Sequence, residues 1–169
     1  MESTQDLLIL RAGEIVARAR ERSATVATAE SCTAGMIASS IADIPGASSV
    51  LRGGMVTYCD EIKRDVLGVP AHTLHEFSAV SEQCACEMSA RARDIFCSSV
   101  AVSATGYAGP GGGTHSDPAG TVYLGISDDR GTRCVRVELE GSRNEVRLRA
   151  AAVALELVLQ SLDYREISR

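Results

Sequence analysis

Val100-Ala101-Val102-Ser103-Ala104 is a continuous run of small and apolar residues bounded by polar ones, the pattern of a central strand covered on both faces. Such a strand needs helices above and below it, and the flanking sequence supplies them. On the N-terminal side, Ser81 has N-cap character with Glu82 behind it, which predicts a helix to about Phe96 whose Met88, Ala92, Ile95 and Phe96 face the core. Further back, Thr25 to Ala29 reads as a short strand, and the small and apolar residues after Glu30 predict a closely packed helix ending before Pro45-Gly46. Ser49 to Tyr58 predicts a second strand, whose Gly53-Gly54 pair lets another group approach the backbone closely. Glu61 to Leu67 predicts a short helix stopped by Gly68, with Lys63 in its first turn, and Pro70 opens another short helical piece. An amphipathic helix from about Thr4 to Arg22 precedes all of these.

On the C-terminal side, T-V-Y-L-G-I-S, a turn at Asp128-Asp129-Arg130-Gly131, and T-R-C-V-R-V-E-L read as a hairpin whose second strand keeps one wet face. Ser142-Arg143-Asn144-Glu145 is a capping box that starts a last helix running to about Leu162. Helices between strands, closed by an antiparallel hairpin, predict a three-layer α/β/α fold with a mixed sheet, as one domain over residues 1–169. The last helix is apolar around much of its surface (Val153, Leu155, Leu157, Val158, Leu159). It is therefore either enclosed or in part against another subunit, and a homo-oligomer is the expectation.

Composition narrows the function. Hydrophobic residues are 45% and charged residues 23% of 169, ordinary for a globular chain with a full core. No apolar run approaches the roughly 20 residues of a membrane span, and the N-terminus carries acids where a signal peptide is basic, so a cytoplasmic protein without membrane partners is expected. A formal net charge of −5 argues against a nucleic-acid surface. The six cysteines are expected to be free thiols, and neither they nor His72, His75 and His115 follow a metal-binding spacing, so no metal is expected.

One count stands apart: of 17 basic residues, Lys63 is the only lysine. A guanidinium cannot give up its proton, whereas a desolvated ammonium can and then acts as a base. The plain alternative is a surviving lysine on a solvated helix face. Ser31 falls where the first strand gives way to a helix, a position that exposes a side chain beside unpaired amide groups and suits a nucleophile; the same position also suits an ordinary N-cap. Cys32 beside it ranks below Ser31, because a thiol packed among small residues is usually inert. No G-x-S-x-G elbow supports a histidine partner, which leaves Lys63, acting on Ser31 directly or through the phenol of Tyr58. The segment Gly106 to Gly120 holds six of the fifteen glycines and is long for a structureless connection, so its amides are candidates to cradle a phosphate or sugar. It lacks a Walker pattern. Arg143 places a cation in the first turn of the last helix, against the macrodipole, a penalty that an anionic ligand reverses; Arg147, one turn on, extends that patch.

Taken in order, A-E-S-C-T-A-G, G-G-M-V-T-Y-C-D-E-I-K, A-V-S, A-T-G-Y-A-G-P-G-G-G and P-A-G-T-V-Y-L-G resemble the C-terminal domain of the CinA family, from about residue 7 to residue 160. That family includes stand-alone nicotinamide-nucleotide amidohydrolases of the PncC type. The resemblance implies hydrolysis of nicotinamide mononucleotide to nicotinate mononucleotide and ammonia, in pyridine-nucleotide salvage, with no cofactor. It places the family's catalytic serine, tyrosine and lysine on Ser31, Tyr58 and Lys63. Thr105, Gly106 and the loop after them are then expected to line the nucleotide, with Arg143 at its phosphate. One departure is visible: related sequences tend to read G-D-R where this chain has Gly141-Ser142-Arg143, and both Ser and Asp cap a helix well. Two other readings stand beside the amidohydrolase, a catalytically silent nucleotide-binding or regulatory module and a Ser-Lys hydrolase of a different amide.

Overall fold

The computed structural model describes residues 3–164. Helix α1 (Thr4–Glu21) leads into β1 (Val26–Glu30), α2 (Met36–Ala42), β2 (Leu51–Val56), a single α-helical turn α3 (Asp60–Ile62), α4 (Ala71–Phe77), α5 (Glu82–Phe96), β3 (Val100–Gly106), β4 (Thr121–Asp128), β5 (Gly131–Glu138) and α6 (Arg143–Asp163). The five strands form one sheet in the order β2-β1-β3-β4-β5. β2, β1 and β3 pair in parallel while β3, β4 and β5 pair antiparallel, the mixed sheet that the sequence predicts. β3 is buried along nearly its whole length.

Two apolar clusters cover the two faces. One gathers Leu8, Ile15, Ile37, Ile41, Val102, Ile126 and Leu155 from α1, α2, the sheet and α6. The other gathers Ala27, Ala29, Leu67, Val69, Met88, Ala92 and Ala101 beneath α5. These make the three layers. Most of the apolar surface of α6 is enclosed by the chain itself: Leu155, Leu157, Val158 and Leu159 are buried, while Val153 is partly exposed. Both ends of the predicted capping box at Ser142 and Glu145 form.

Four local expectations are corrected. Ile95 is exposed rather than in the core, while its neighbour Phe96 packs against Gly53, so the glycine pair of β2 admits core side chains, Phe96 on one residue and Thr28 on the next. β5 is an edge strand exposed along most of its length instead of alternating cleanly, with Val135 open to solvent. The predicted helix at residues 61–67 is one α-helical turn followed by a π-helical turn at Lys63–Leu67, stopped at Gly68 in the left-handed region. The helix after β1 begins only at Met36, because Ala34 and Gly35 both have positive φ (50° and 91°) and cannot continue a right-handed helix. No described helix is long and apolar enough to cross a membrane.

At the far end of β4, the buried carboxylate of Asp128 accepts hydrogen bonds from Arg130 (2.7 Å), Arg133 (3.0 Å) and Ser161 (2.5 Å), which tie the hairpin to α6. Burial pushes this carboxyl up, but the bonds from Arg130, Ser161 and Arg133 outweigh it and hold it well below the usual carboxylate range. Its contribution is therefore complete above the unfolded-state value of about 3.9 and is lost as pH falls through the lower folded value. Asp128→Asn is expected to cost about 2–4 kcal/mol in urea unfolding at neutral pH, with the gap to the native chain narrowing only below about pH 4.

Candidate active site

The parallel strands β2, β1 and β3 all deliver their carboxyl ends to one edge of the sheet, and the strand order reverses about β1. Crevices in open α/β sheets form at such points. The pairing runs on beyond the last residues of β1 and β2: Ser31 N–H donates to the Ala104 carbonyl (2.8 Å) and Thr57 N–H to the Glu30 carbonyl (2.8 Å). Ser31 therefore stands at the end of β1, Tyr58 two residues beyond β2, and Thr105-Gly106 at the end of β3.

Ser31 is not the N-cap of α2. That place belongs to Gly35, which makes no side-chain cap, and the helix amides are taken by Glu30. The fully buried Glu30 carboxylate accepts from Gly35 N–H (2.9 Å), Ile37 N–H (3.1 Å) and Ala38 N–H (2.9 Å). Relieved of capping, the Ser31 hydroxyl faces Lys63, whose Nζ lies 3.2 Å from Ser31 Oγ. Lys63 is 2% exposed, which removes the solvated-face reading of the lone lysine. Its nearest carboxylate is Asp60 at 3.9 Å, itself largely in solvent. The π-helical turn that begins at Lys63 is of a kind frequent at functional sites.

Ser31 and Lys63 lie in a cavity of about 410 Å³ with Tyr58, Asp60, Thr105, Gly106, Gly109 and Arg143, and with Ser78 to Val80 forming another part of its wall. That volume is within the range of small-ligand sites. None of His72, His75 and His115 lines it. Tyr58 is 56% exposed, and its hydroxyl accepts from Arg143 (2.7 Å). The second arm of the Arg143 guanidinium donates to the Gly109 carbonyl (2.9 Å), so this arginine ties the glycine loop to the tyrosine across the cavity mouth. Thr105 is buried and donates its hydroxyl to the Ala79 carbonyl (2.6 Å), holding the 78–80 segment over the site. At Gly106 any Cβ would collide with Thr121 and Val122, so the close approach that this glycine permits is that of β4. The predicted loop is folded on itself, with Gly113 bridged to Pro118 and Thr114 paired with Asp117.

Two residues depart from the sequence expectation. Arg147 does not extend the Arg143 patch; its guanidinium donates to the carbonyls of Cys32 (3.0 Å) and Thr33 (3.1 Å), directly behind the serine. Glu30 was not singled out at all, although a carboxylate ending an otherwise small and apolar strand was the available signal. Cys32 lines the cavity, but burial pushes its thiol up to about 11, leaving it protonated and a poor nucleophile at neutral pH. Among the described residues, no group of three or more His, Cys, Asp and Glu side chains is placed to hold a metal ion.

A family model described as the CinA C-terminal domain matches residues 10–162. A CinA-like protein of Thermotoga neapolitana is 41% identical over 153 residues, 90% of this chain and 37% of that protein. A CinA-like protein of Myxococcus xanthus is 45% identical over 85% of this chain and 34% of its own length. The chain thus spans about a third of the length of these curated relatives. Among solved structures, the competence damage-inducible protein A of Klebsiella pneumoniae superposes with a TM-score of 0.90 at 33% identity, covering 94% of this chain and 99% of that one. The competence/damage inducible protein CihA of Agrobacterium tumefaciens gives 0.86 at 38% identity, covering 93% of this chain and 96% of that one.

Proposed function

This chain belongs to the CinA C-terminal domain family, and from that premise we propose that it hydrolyses the carboxamide of nicotinamide mononucleotide, giving nicotinate mononucleotide and ammonia. The observation that carries the reading is the 3.2 Å approach of the buried Lys63 amine to Ser31 Oγ inside a cavity that no histidine lines. A nucleophile within hydrogen-bond reach of its base is the arrangement that acyl transfer requires.

Ser31 Oγ attacks the amide carbon while its proton passes to the Lys63 amine. The tetrahedral adduct collapses as the leaving nitrogen gains a proton, and ammonia departs. Tyr58 supplies or relays that proton: because Arg143 donates to the phenol oxygen, it occupies a lone pair and leaves the O–H hydrogen free to point into the cavity. The proton that Lys63 took from Ser31 passes to Tyr58 or through it to ammonia, so that Lys63 again serves as base when water attacks the nicotinoyl ester, and Ser31 is restored. The glycine loop and Thr105 line the nucleotide, and Arg143, at the cavity mouth, meets its phosphate.

Purified protein is expected to release ammonia from nicotinamide mononucleotide without added metal, followed by a coupled ammonia assay, and to leave peptides, β-lactams and simple amides intact. Nucleotide binding without ammonia release would assign the chain instead to a silent binding or regulatory role. Turnover of another amide alone would keep the Ser-Lys chemistry and replace the substrate.

A further inference from the structure

The chemistry above makes no use of Glu30 or Arg147, yet both bond the backbone that follows the nucleophile, between residues 32 and 38. Glu30 is fully buried and spends its carboxylate on the amides of Gly35, Ile37 and Ala38, at the C-terminal end of the Ser31 turn. A buried charge is an expensive way to start a seven-residue helix that Ser or Asn would cap as well. Arg147 reaches the same turn from α6, 115 residues away, and lays one planar fork on two successive carbonyls, those of Cys32 and Thr33.

In a trans peptide the C=O and the next N–H point in opposite directions. Fixing the Cys32 and Thr33 carbonyls toward Arg147 therefore fixes the N–H groups of Thr33 and Ala34 away from it. Ala34 N–H accordingly turns back to the Ser31 carbonyl (3.1 Å), and Ala34 itself is held at positive φ, a conformation that alanine adopts only under constraint. Arg147 holds the turn by two of its carbonyls, Glu30 ties its last residue, Gly35, and the first turn of α2 by their amides, and Ser31 is the residue between β1 and that held segment.

We propose that Glu30 and Arg147 are positioning residues that together set the Ser31 turn, so that Oγ lies within proton-transfer distance of Lys63. The inference rests on Ser31 being the nucleophile, but not on the identity of the substrate. Its test uses a fluorophosphonate, which reports an activated serine without any nucleotide: Ser31 Oγ bonds to phosphorus, fluoride leaves, and the hydroxyl proton goes to Lys63. Arg147→Met and Glu30→Gln are expected to label about tenfold or more slowly than the native chain, measured well below their melting transitions, since small displacements of a reacting group are this costly. In turnover, kcat falls by a similar factor while KM stays within about threefold, a split that general loosening of the fold would not give. Arg147→Lys, which keeps charge but not the planar fork, falls between native and Arg147→Met, and added guanidinium restores part of the labelling rate of Arg147→Ala. Should Arg147→Met fail to fold, Arg147→Lys and Glu30→Gln decide the matter. Folded variants that label at the native rate would overturn the proposal. A native chain that labels at Ser31 but releases no ammonia refutes the substrate and leaves the clamp standing on its own rates; a native chain that does not label at all, with Ser31→Ala as blank, overturns the nucleophile and the clamp together.

Discussion

Lys63→Arg is expected to lower kcat/KM for ammonia release from nicotinamide mononucleotide by about 10²- to 10⁴-fold, the span that a positioned general base contributes. The substitution keeps the positive charge and the hydrogen-bond donors that a purely electrostatic or structural lysine would need. What it removes is the ability to hold the Ser31 proton, because a guanidinium does not deprotonate in a protein. The site is tight: Lys63 is 2% exposed, so the larger arginine head also costs about 1–3 kcal/mol in overpacking. Lys63→Met separates the two effects, being similar in length, apolar and unable to accept the proton. Both variants should lose activity to a similar degree, while Met preserves the melting temperature better than Arg. Initial rates and thermal unfolding on the same preparations read this out, and activity within a few fold of native in either variant would remove Lys63 from the chemistry.

Lysine usage and a strand-end serine were enough to bring Ser31, Tyr58 and Lys63 under suspicion from sequence, because composition and strand-helix punctuation are local signals. β3, the sheet order around it and the capping box of α6 were legible for the same reason: burial on both faces, alternation and S-x-x-E are written in neighbouring residues. What the sequence concealed is of two kinds. Arg147 finds its carbonyls 115 residues away, and a basic residue in the first turns of a helix reads the same whether it meets solvent, an anion or a backbone turn. The start of α2 lies later than the sequence predicts because alanine at position 34 gives no hint of positive φ; the turn is held by the Glu30 carboxylate, five to eight residues from the amides it serves, and by Arg147 from α6. Of Ile95 and Phe96, both predicted to face the core, only Phe96 does, since adjacent positions on a helix diverge and Gly53 provides a seat for Phe96.

Those hidden contacts bear on how much a substitution at the nucleophile should disturb. The backbone around Ser31 is held by Ala104, Glu30 and Arg147 rather than by the serine hydroxyl, which meets the Lys63 amine. Removing that hydroxyl should therefore leave the turn, the cavity and nucleotide affinity in place.

Ser31→Ala is expected to reduce ammonia release to the assay background while binding nicotinamide mononucleotide within about threefold of native affinity, as measured calorimetrically. Loss of the nucleophile in serine acyl transfer costs on the order of 10⁶ in kcat, because what survives is only the help that binding and positioned donors give to direct attack by water. The same substitution withdraws one partner from the buried Lys63 amine, a change of about 1 kcal/mol in stability, small against the catalytic effect. A reaction that instead used Ser31 only to orient a water, with Lys63 as its base, would lose about a hundredfold and keep a measurable rate. Quenching native turnover with acid distinguishes the two directly: covalent attack leaves a nicotinoyl ester on the peptide that contains Ser31, found by mass spectrometry of a digest and absent from Ser31→Ala, whereas water attack leaves that peptide unmodified.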